Sequence, residues 1–141
     1  MQFLRIYESC AHLLQKESWL YVADNTNVRW LKIFHLYKGF HRKSTKEGFF
    51  VKGAAKIVEP PIIEYKGFKY KYNIKGDICR GLLCRSKNLK LNLNRDTLLF
   101  NNNSLITIKK KNDPRSKYHN GPIMRNVWRK KLITLFGKTL I

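Results

Sequence analysis

Three cysteines, four histidines and nine carboxylates are the groups from which a catalytic or metal site would have to be assembled. Cys79 and Cys84 are five residues apart, which puts them on opposite faces of any strand holding both. His12, His35, His41 and His119 stand at no ligand spacing from them or from Cys10, so no metal site is expected. The Asp and Glu residues occur singly among cations, with no close pair for acid and base work and no cluster for the divalent ions of a nuclease. Neither a GxGxxG nor a Walker loop is present, and no cofactor is expected. An odd number of cysteines outside any small secreted framework reads as free thiols in a reducing compartment.

Phosphate binding is the chemistry that remains. Lys and Arg total 29 against 9 Asp and Glu, for a net charge of +20 and a pI near 10.2. The cations gather at Arg42-Lys43-Ser44-Thr45-Lys46, at Lys66, Lys69, Lys71 and Lys75, at Arg85-Ser86-Lys87 and at Lys109-Lys110-Lys111. So much like charge on a 141-residue body repels itself until a polyanion neutralises it. Each neutralised phosphate displaces counterions, which makes the affinity fall steeply with salt. Phe40, Tyr65, Phe68, Tyr70, Tyr72 and Tyr118 lie among the cations and could stack on unpaired bases, although aromatic residues in such patterns are more often core.

These groups need a scaffold, and the apolar pattern supplies one. The chain is long enough for one domain with a real core, and no apolar stretch is long enough to cross a membrane as a helix. Phe3, Ile6, Tyr7, Cys10, Leu13 and Leu14 recur at helical spacing, predicting an amphipathic N-terminal helix. Strand-like runs follow at Trp19–Ala23, Val28–Tyr37, Phe49–Val58, Ile78–Cys84, Thr97–Phe100 and Leu105–Ile108. They are separated by Asp24-Asn25-Thr26-Asn27, Lys38-Gly39, Glu47-Gly48, Lys75-Gly76-Asp77 and Asn101-Asn102-Asn103, the turn chemistry of a small barrel. Phe68 to Lys75 alternates aromatic with cationic residues, as a projecting β-ribbon would. Asn120, Gly121 and Pro122 predict the start of a C-terminal helix carrying Met124, Val127, Trp128, Leu132, Leu135 and Phe136.

The order of residues resembles a known family. Gln15, Leu20-Tyr21-Val22-Ala23-Asp24-Asn25, Arg29, Gly39, His41-Arg42-Lys43, Gly48 and Pro60 are similar to the amino-terminal half of universal ribosomal protein fourteen of the large subunit. The similarity resumes at Lys75-Gly76-Asp77-Ile78 and Arg80-Gly81-Leu82-Leu83-Cys84-Arg85-Ser86-Lys87. It continues at Leu99-Phe100-Asn101-Asn102 and closes with Gly121-Pro122-Ile123-Met124-Arg125. Residues about 61–75 read as an inserted ribbon, the stretch between Lys87 and Thr97 as a shortening, and Met1–His12 and Thr107–Lys117 as additions.

The resemblance implies a mainly β protein: a five-stranded β-barrel over residues 14–141, with a β-ribbon and short C-terminal helices, behind a helical extension over 1–13. It implies a structural, non-enzymatic constituent of the large ribosomal subunit that binds large-subunit rRNA. Further implied partners are small-subunit rRNA at an intersubunit bridge, ribosomal proteins three and nineteen, and a ribosome-silencing factor; no membrane is among them. Arg29, His41, Arg42, Lys43, Lys46, Arg85 and Lys87 are expected to meet phosphates, with Lys69, Lys71 and Lys75 running along an RNA groove. Arg115, Lys117 and Arg125 are expected at the bridge or at protein neighbours. The Lys, Asn and Ile bias and an N-terminus poor in targeting character lead to the expectation of a mitochondrial ribosomal protein made in the organelle, with a plastid ribosome second. The rival readings are a free translation or ribosome-maturation factor and, with less support, an anionic-lipid binder.

Overall fold

The computed structural model describes residues 14–39, 42–60, 72–88, 90–91, 97–116, 118–124 and 127. Among these residues nine strands are formed: β1 (Leu14–Gln15), β2 (Trp19–Val22), β3 (Val28–Leu36), β4 (Ser44–Thr45), β5 (Phe50–Val58), β6 (Ile78–Arg85), β7 (Lys90–Leu91), β8 (Thr97–Leu98) and β9 (Ser104–Ile108). β2, β3, β5, β6 and β9 close a barrel in that order. Neighbours run antiparallel except at the seam, where β2 and β9 are parallel with Tyr21 opposite Ser104 and Val22 opposite Leu105. The expected five-stranded, mainly β architecture is the observed one. β1 pairs with β4 beside one mouth of the barrel, and β7 with β8 in a short separate ladder.

Closure follows from what the inward positions carry. Leu20, Val22, Val28, Leu31, Ile33, Leu36, Val51, Ala55, Cys79, Leu83 and Leu105 form one buried cluster. Each large member contributes roughly 1.5–3 kcal/mol by leaving water. Five strands enclose little volume, so some inward positions must be empty. At Gly53 a Cβ would fall 1.8 Å from the Leu31 side chain and 2.7 Å from the Lys32 carbonyl oxygen. The missing side chain is what lets Leu31 fill the axis.

The parallel seam is fastened by a buried carboxylate. Asp24 is fully enclosed, and its Oδ2 accepts from the Thr107 amide at 2.8 Å and from the Thr107 hydroxyl. Its Oδ1 accepts from the Thr26 amide at 3.1 Å and hydroxyl at 2.5 Å. Four donors replace the water this charge loses. Thr107 and Ile108 close β9, in keeping with the strand expected over Leu105–Ile108. Residues 109–112 turn sharply there, and Pro114 bridges back to Ile108.

A second cluster lies outside the barrel. Leu82, Cys84, Ile106 and Ile108 meet Phe50, Phe100, Ile123, Met124 and Val127, so β9 and the Leu82–Arg85 end of β6 are buried on both faces, while Ile78 and Arg80 at the start of β6 are not. The segment bringing Ile123 and Met124 there does not open a helix at Asn120. The Asn120 amide donates to the Ala23 carbonyl at 2.6 Å and the Met124 amide to the Cys84 carbonyl at 3.3 Å. A helix begun at Asn120 would join the Met124 amide to the Asn120 carbonyl; here that amide goes to Cys84 and that carbonyl to Arg85. Gly121 has φ +84°, and a Cβ there would fall 1.9 Å from Nη1 of Arg85; any other residue would push Arg85 away. The predicted N-terminal helix, most of the 61–75 ribbon and the remainder of the C-terminal helix fall outside the described residues.

Candidate nucleic-acid interface

The loop from β3 to β5 gathers cations at one mouth of the barrel. Lys38 and Gly39 turn the chain with φ of 75° and 118°. Arg42 then folds back, donating from Nε to the Ser44 carbonyl at 2.9 Å and from Nη1 to the Tyr37 carbonyl at 3.3 Å. Its guanidinium lies 4.3 Å from the centre of the Phe49 ring, and the Lys38 ammonium 4.8 Å from the same centre. One aromatic ring therefore lies against two like charges, and cation–π attraction stabilises each of them. Lys43 and Lys46 are exposed on the same loop. Lys87 joins them from the end of β6, its backbone fixed by a 2.6 Å bond from its amide to Oδ1 of Asn103. Buried Glu47 accepts from the Ser86 hydroxyl and pins the loop to β6.

The opposite mouth is arranged differently. Arg29 forms a two-pronged pair with Glu59, 2.6 Å at each contact. The pairing raises the Arg29 pKa and lowers that of Glu59, hydrogen bonding being the main cause for both. Arg115 donates at 2.7 Å to Oδ1 of Asn73. Asn27 donates to the Asn73 carbonyl at 2.8 Å and accepts from the Asn73 amide at 3.2 Å. It also donates to the Glu59 carbonyl at 3.3 Å. Glu59 and Asn73 flank residues 61–71, so this amide clamp fixes both stems of the expected ribbon. Lys75 is exposed on the turn just beyond, which Asp77 caps through the Ile74 amide at 2.9 Å.

The expected phosphate contacts are thus split between two mouths: Arg42, Lys43, Lys46 and Lys87 at one, Arg29 and Lys75 at the other, where Arg115, expected at the bridge or at protein neighbours, also lies. Arg85 is at neither surface. It is 7% exposed, with Nε on the Ser104 hydroxyl at 2.6 Å and Nη1 on the carbonyls of Asn120 at 3.0 Å and Pro122 at 3.5 Å. The expectation that it faces phosphate gives way to a structural role: it holds the C-terminal segment on β6. His41, Lys69, Lys71, Lys117 and Arg125 lie outside the described residues, as do Phe40, Tyr65, Phe68 and Tyr70. Tyr72 and Tyr118 are exposed.

Sequence reasoning passed over Lys38, Lys52 and Arg80, each of which sits against an aromatic ring. The adjacent pairs Tyr37-Lys38 and Phe49-Phe50 were the available signal. Neither described cysteine is suited to thiolate chemistry, because burial pushes the Cys84 thiol up to about 12 and raises that of Cys79. Among the described residues no cluster of His, Cys, Asp and Glu could hold a metal. Compared with known protein families, residues 13–138 match the model of ribosomal protein L14p/L23e.

Proposed function

The chain belongs to the ribosomal protein L14p/L23e family, and from that premise we propose that its Lys38–Lys46 loop and Lys87 form the principal rRNA contact of the barrel. The protein is a structural constituent of the large ribosomal subunit, binding rRNA and other ribosomal proteins. The observation carrying the finer reading is the mouth where Arg42 and Lys38 share the Phe49 ring while Lys43, Lys46 and Lys87 stand exposed beside them. The opposite mouth has its Arg29 charge met by Glu59 and its Arg115 held by Asn73. Phosphate oxygens meet the exposed ammonium groups of Lys43, Lys46 and Lys87 at the first mouth, beside an Arg42 that is held by backbone carbonyls and has no carboxylate partner among the described residues. At the second mouth Arg29 is already neutralised by Glu59. Lys75 and the residues between the clamped stems extend the contact along an RNA groove.

The host particle is the mitochondrial large subunit, on the strength of the Lys, Asn and Ile bias. There the chain contributes to the intersubunit bridge with small-subunit rRNA and adjoins proteins three and nineteen. A ribosome-silencing factor is a further partner. Arg115, held on Asn73 at the second mouth, stands at the bridge or at a protein neighbour.

Charge reversal of Arg42 and Lys43 together tests the placement. The double variant should be depleted from purified mitochondrial large subunits, measured by quantitative mass spectrometry; wild-type occupancy would overturn it. A wild-type chain that washes off in moderate salt would mark it instead as a visiting RNA-binding factor.

A further inference from the structure

We propose that His35, Lys52 and Arg80, gathered on the ring of Tyr37, form a second phosphodiester site on the outer wall of the barrel, in addition to the loop contact. This rests on the rRNA-binding reading and names a place for the RNA backbone on three strands.

The strand register builds the site. His35 is the Cα partner of Lys52, and Lys52 of Arg80, so the three stand in one row across β3, β5 and β6. An irregularity between Ile33 and His35 is what brings His35 into the row. Before it, Leu31 and Ile33 point inward; after it, Leu36 does, leaving both Phe34 and His35 exposed. A bulge of this kind re-aims a side chain that strict alternation would have buried.

The row then converges on one ring. The His35 and Tyr37 rings are 5.2 Å apart between centres, edge to face. The Lys52 ammonium is 5.7 Å and the Arg80 guanidinium 5.2 Å from the Tyr37 centre. Arg80 also lies 4.3 Å over Phe50.

Like charges directly opposite on adjacent strands repel. Elsewhere on this wall such charge is met: Lys32 pairs with Glu17 at 2.5 Å and Arg29 with Glu59. Neither Lys52 nor Arg80 has a carboxylate partner among the described residues. Among the described residues Arg80 is held by stacking on Tyr37 and Phe50, and its Nε is buried without a hydrogen-bond partner. Arg85, five residues along the same strand, has its donors placed on protein acceptors. A group held by its flat face with its donor edge uncommitted, next to an ammonium one strand away, fits a single tetrahedral anion bridging the two. Adjacent strands are roughly 4.8 Å apart, within the span of one phosphate. His35 supplies a third donor beside it.

The full chain carrying Lys52→Gln and Arg80→Gln, titrated with large-subunit rRNA over a range of salt, tests this against Lys110→Gln/Lys111→Gln, which removes equal charge from the exposed 109–112 turn. The row variant should bind at least tenfold more weakly at fixed salt. Its slope of log K against log salt should flatten by roughly 0.7–0.9 for each phosphate it no longer neutralises. Its denaturant midpoint should be unchanged or higher, since a repulsion has been removed; a purely structural pair would lower it. Affinity and slope equal to those of the turn variant would overturn the site while leaving the rRNA reading intact. Absence of salt-dependent rRNA binding by the wild-type chain would overturn both. In a second arm, a ten-nucleotide single-stranded RNA should perturb Lys52 and Arg80 side-chain resonances at concentrations at least a hundredfold below inorganic phosphate. Equal saturation by the two would make it a free-anion site and overturn the phosphodiester assignment.

Discussion

The barrel has two outer walls, and they use the same strand periodicity to opposite ends. On β6 and β9 the outward residues include Leu82, Cys84, Ile106 and Ile108, and Ile123, Met124, Val127 and Phe100 cover them. On β2, β3 and β5 the outward residues include exposed Trp19, Trp30, Phe34 and Ile57 with Lys32, Lys52 and Lys56, and no described segment lies over them. The covered wall consolidates the isolated chain, whereas the bare wall is available to what surrounds it. One substitution made on each wall should separate these roles. Ile106→Thr removes apolar contact and buries a hydroxyl, so it should cost about 2–4 kcal/mol of unfolding free energy by denaturant titration. A loss under 1 kcal/mol would mean that the cover is loose.

Arg85 and Arg80 carry the same contrast on one strand. Burial lowers the Arg85 pKa, yet its donors are bonded to the strand and to the segment it anchors. Arg85→Met keeps the volume and deletes the bonds to Ser104, Asn120 and Pro122, and should cost about 2–3 kcal/mol. Accelerated amide exchange in 119–124 should accompany it. If exchange there is unchanged, the covering segment is held by its apolar contacts alone.

The difference between the walls also explains what could be read in advance. Trp19 to Val22 and Val28 to Ile33 alternate because one face is bare, and Gly81 to Cys84 and Leu105 to Ile108 read as apolar runs because neither face is. All four segments were therefore legible as strands. A barrel was legible from the strand and turn spacing, but the parallel β2–β9 seam that closes it was not, because it depends on Asp24 meeting Thr107 across 83 residues. Arg85 looked like a surface cation because Arg85-Ser86-Lys87 is locally a basic tract; its acceptors lie 19 and 35 residues away. The His35, Lys52 and Arg80 row was hidden in the same way, since a bulge and two strand registers align residues that no local spacing relates.

A smaller effect tests the covered wall through pH. His119 lies beside Gly121, under the field of Arg85; burial is the main cause lowering its pKa below the usual 6.5, and Arg85 adds to it against the Gly121 carbonyl. The unfolded chain then takes up a proton more readily than the folded one near pH 6. Stability should therefore fall as pH drops through 6.5 towards the folded pKa. His119→Gln should flatten that dependence, and a profile identical to wild type would show that the other histidines set it.

The smallest change should come from repeating the Ile→Thr substitution on the uncovered side of β6. Ile78 is 67% exposed at the first position of the strand, opposite Ala54, on the outer face shared with Arg80. Threonine keeps the β-branch that suits a pleated surface and places its hydroxyl in water. Ile78→Thr should therefore shift the unfolding free energy by no more than about 0.5 kcal/mol. Any loss of large-subunit occupancy by this variant then reports a contact made in the particle rather than a weakened fold. A destabilisation matching that of Ile106→Thr would mean that a segment of the chain covers Ile78 after all, and the division into a self-sealed wall and an outward-facing one would fail at this strand.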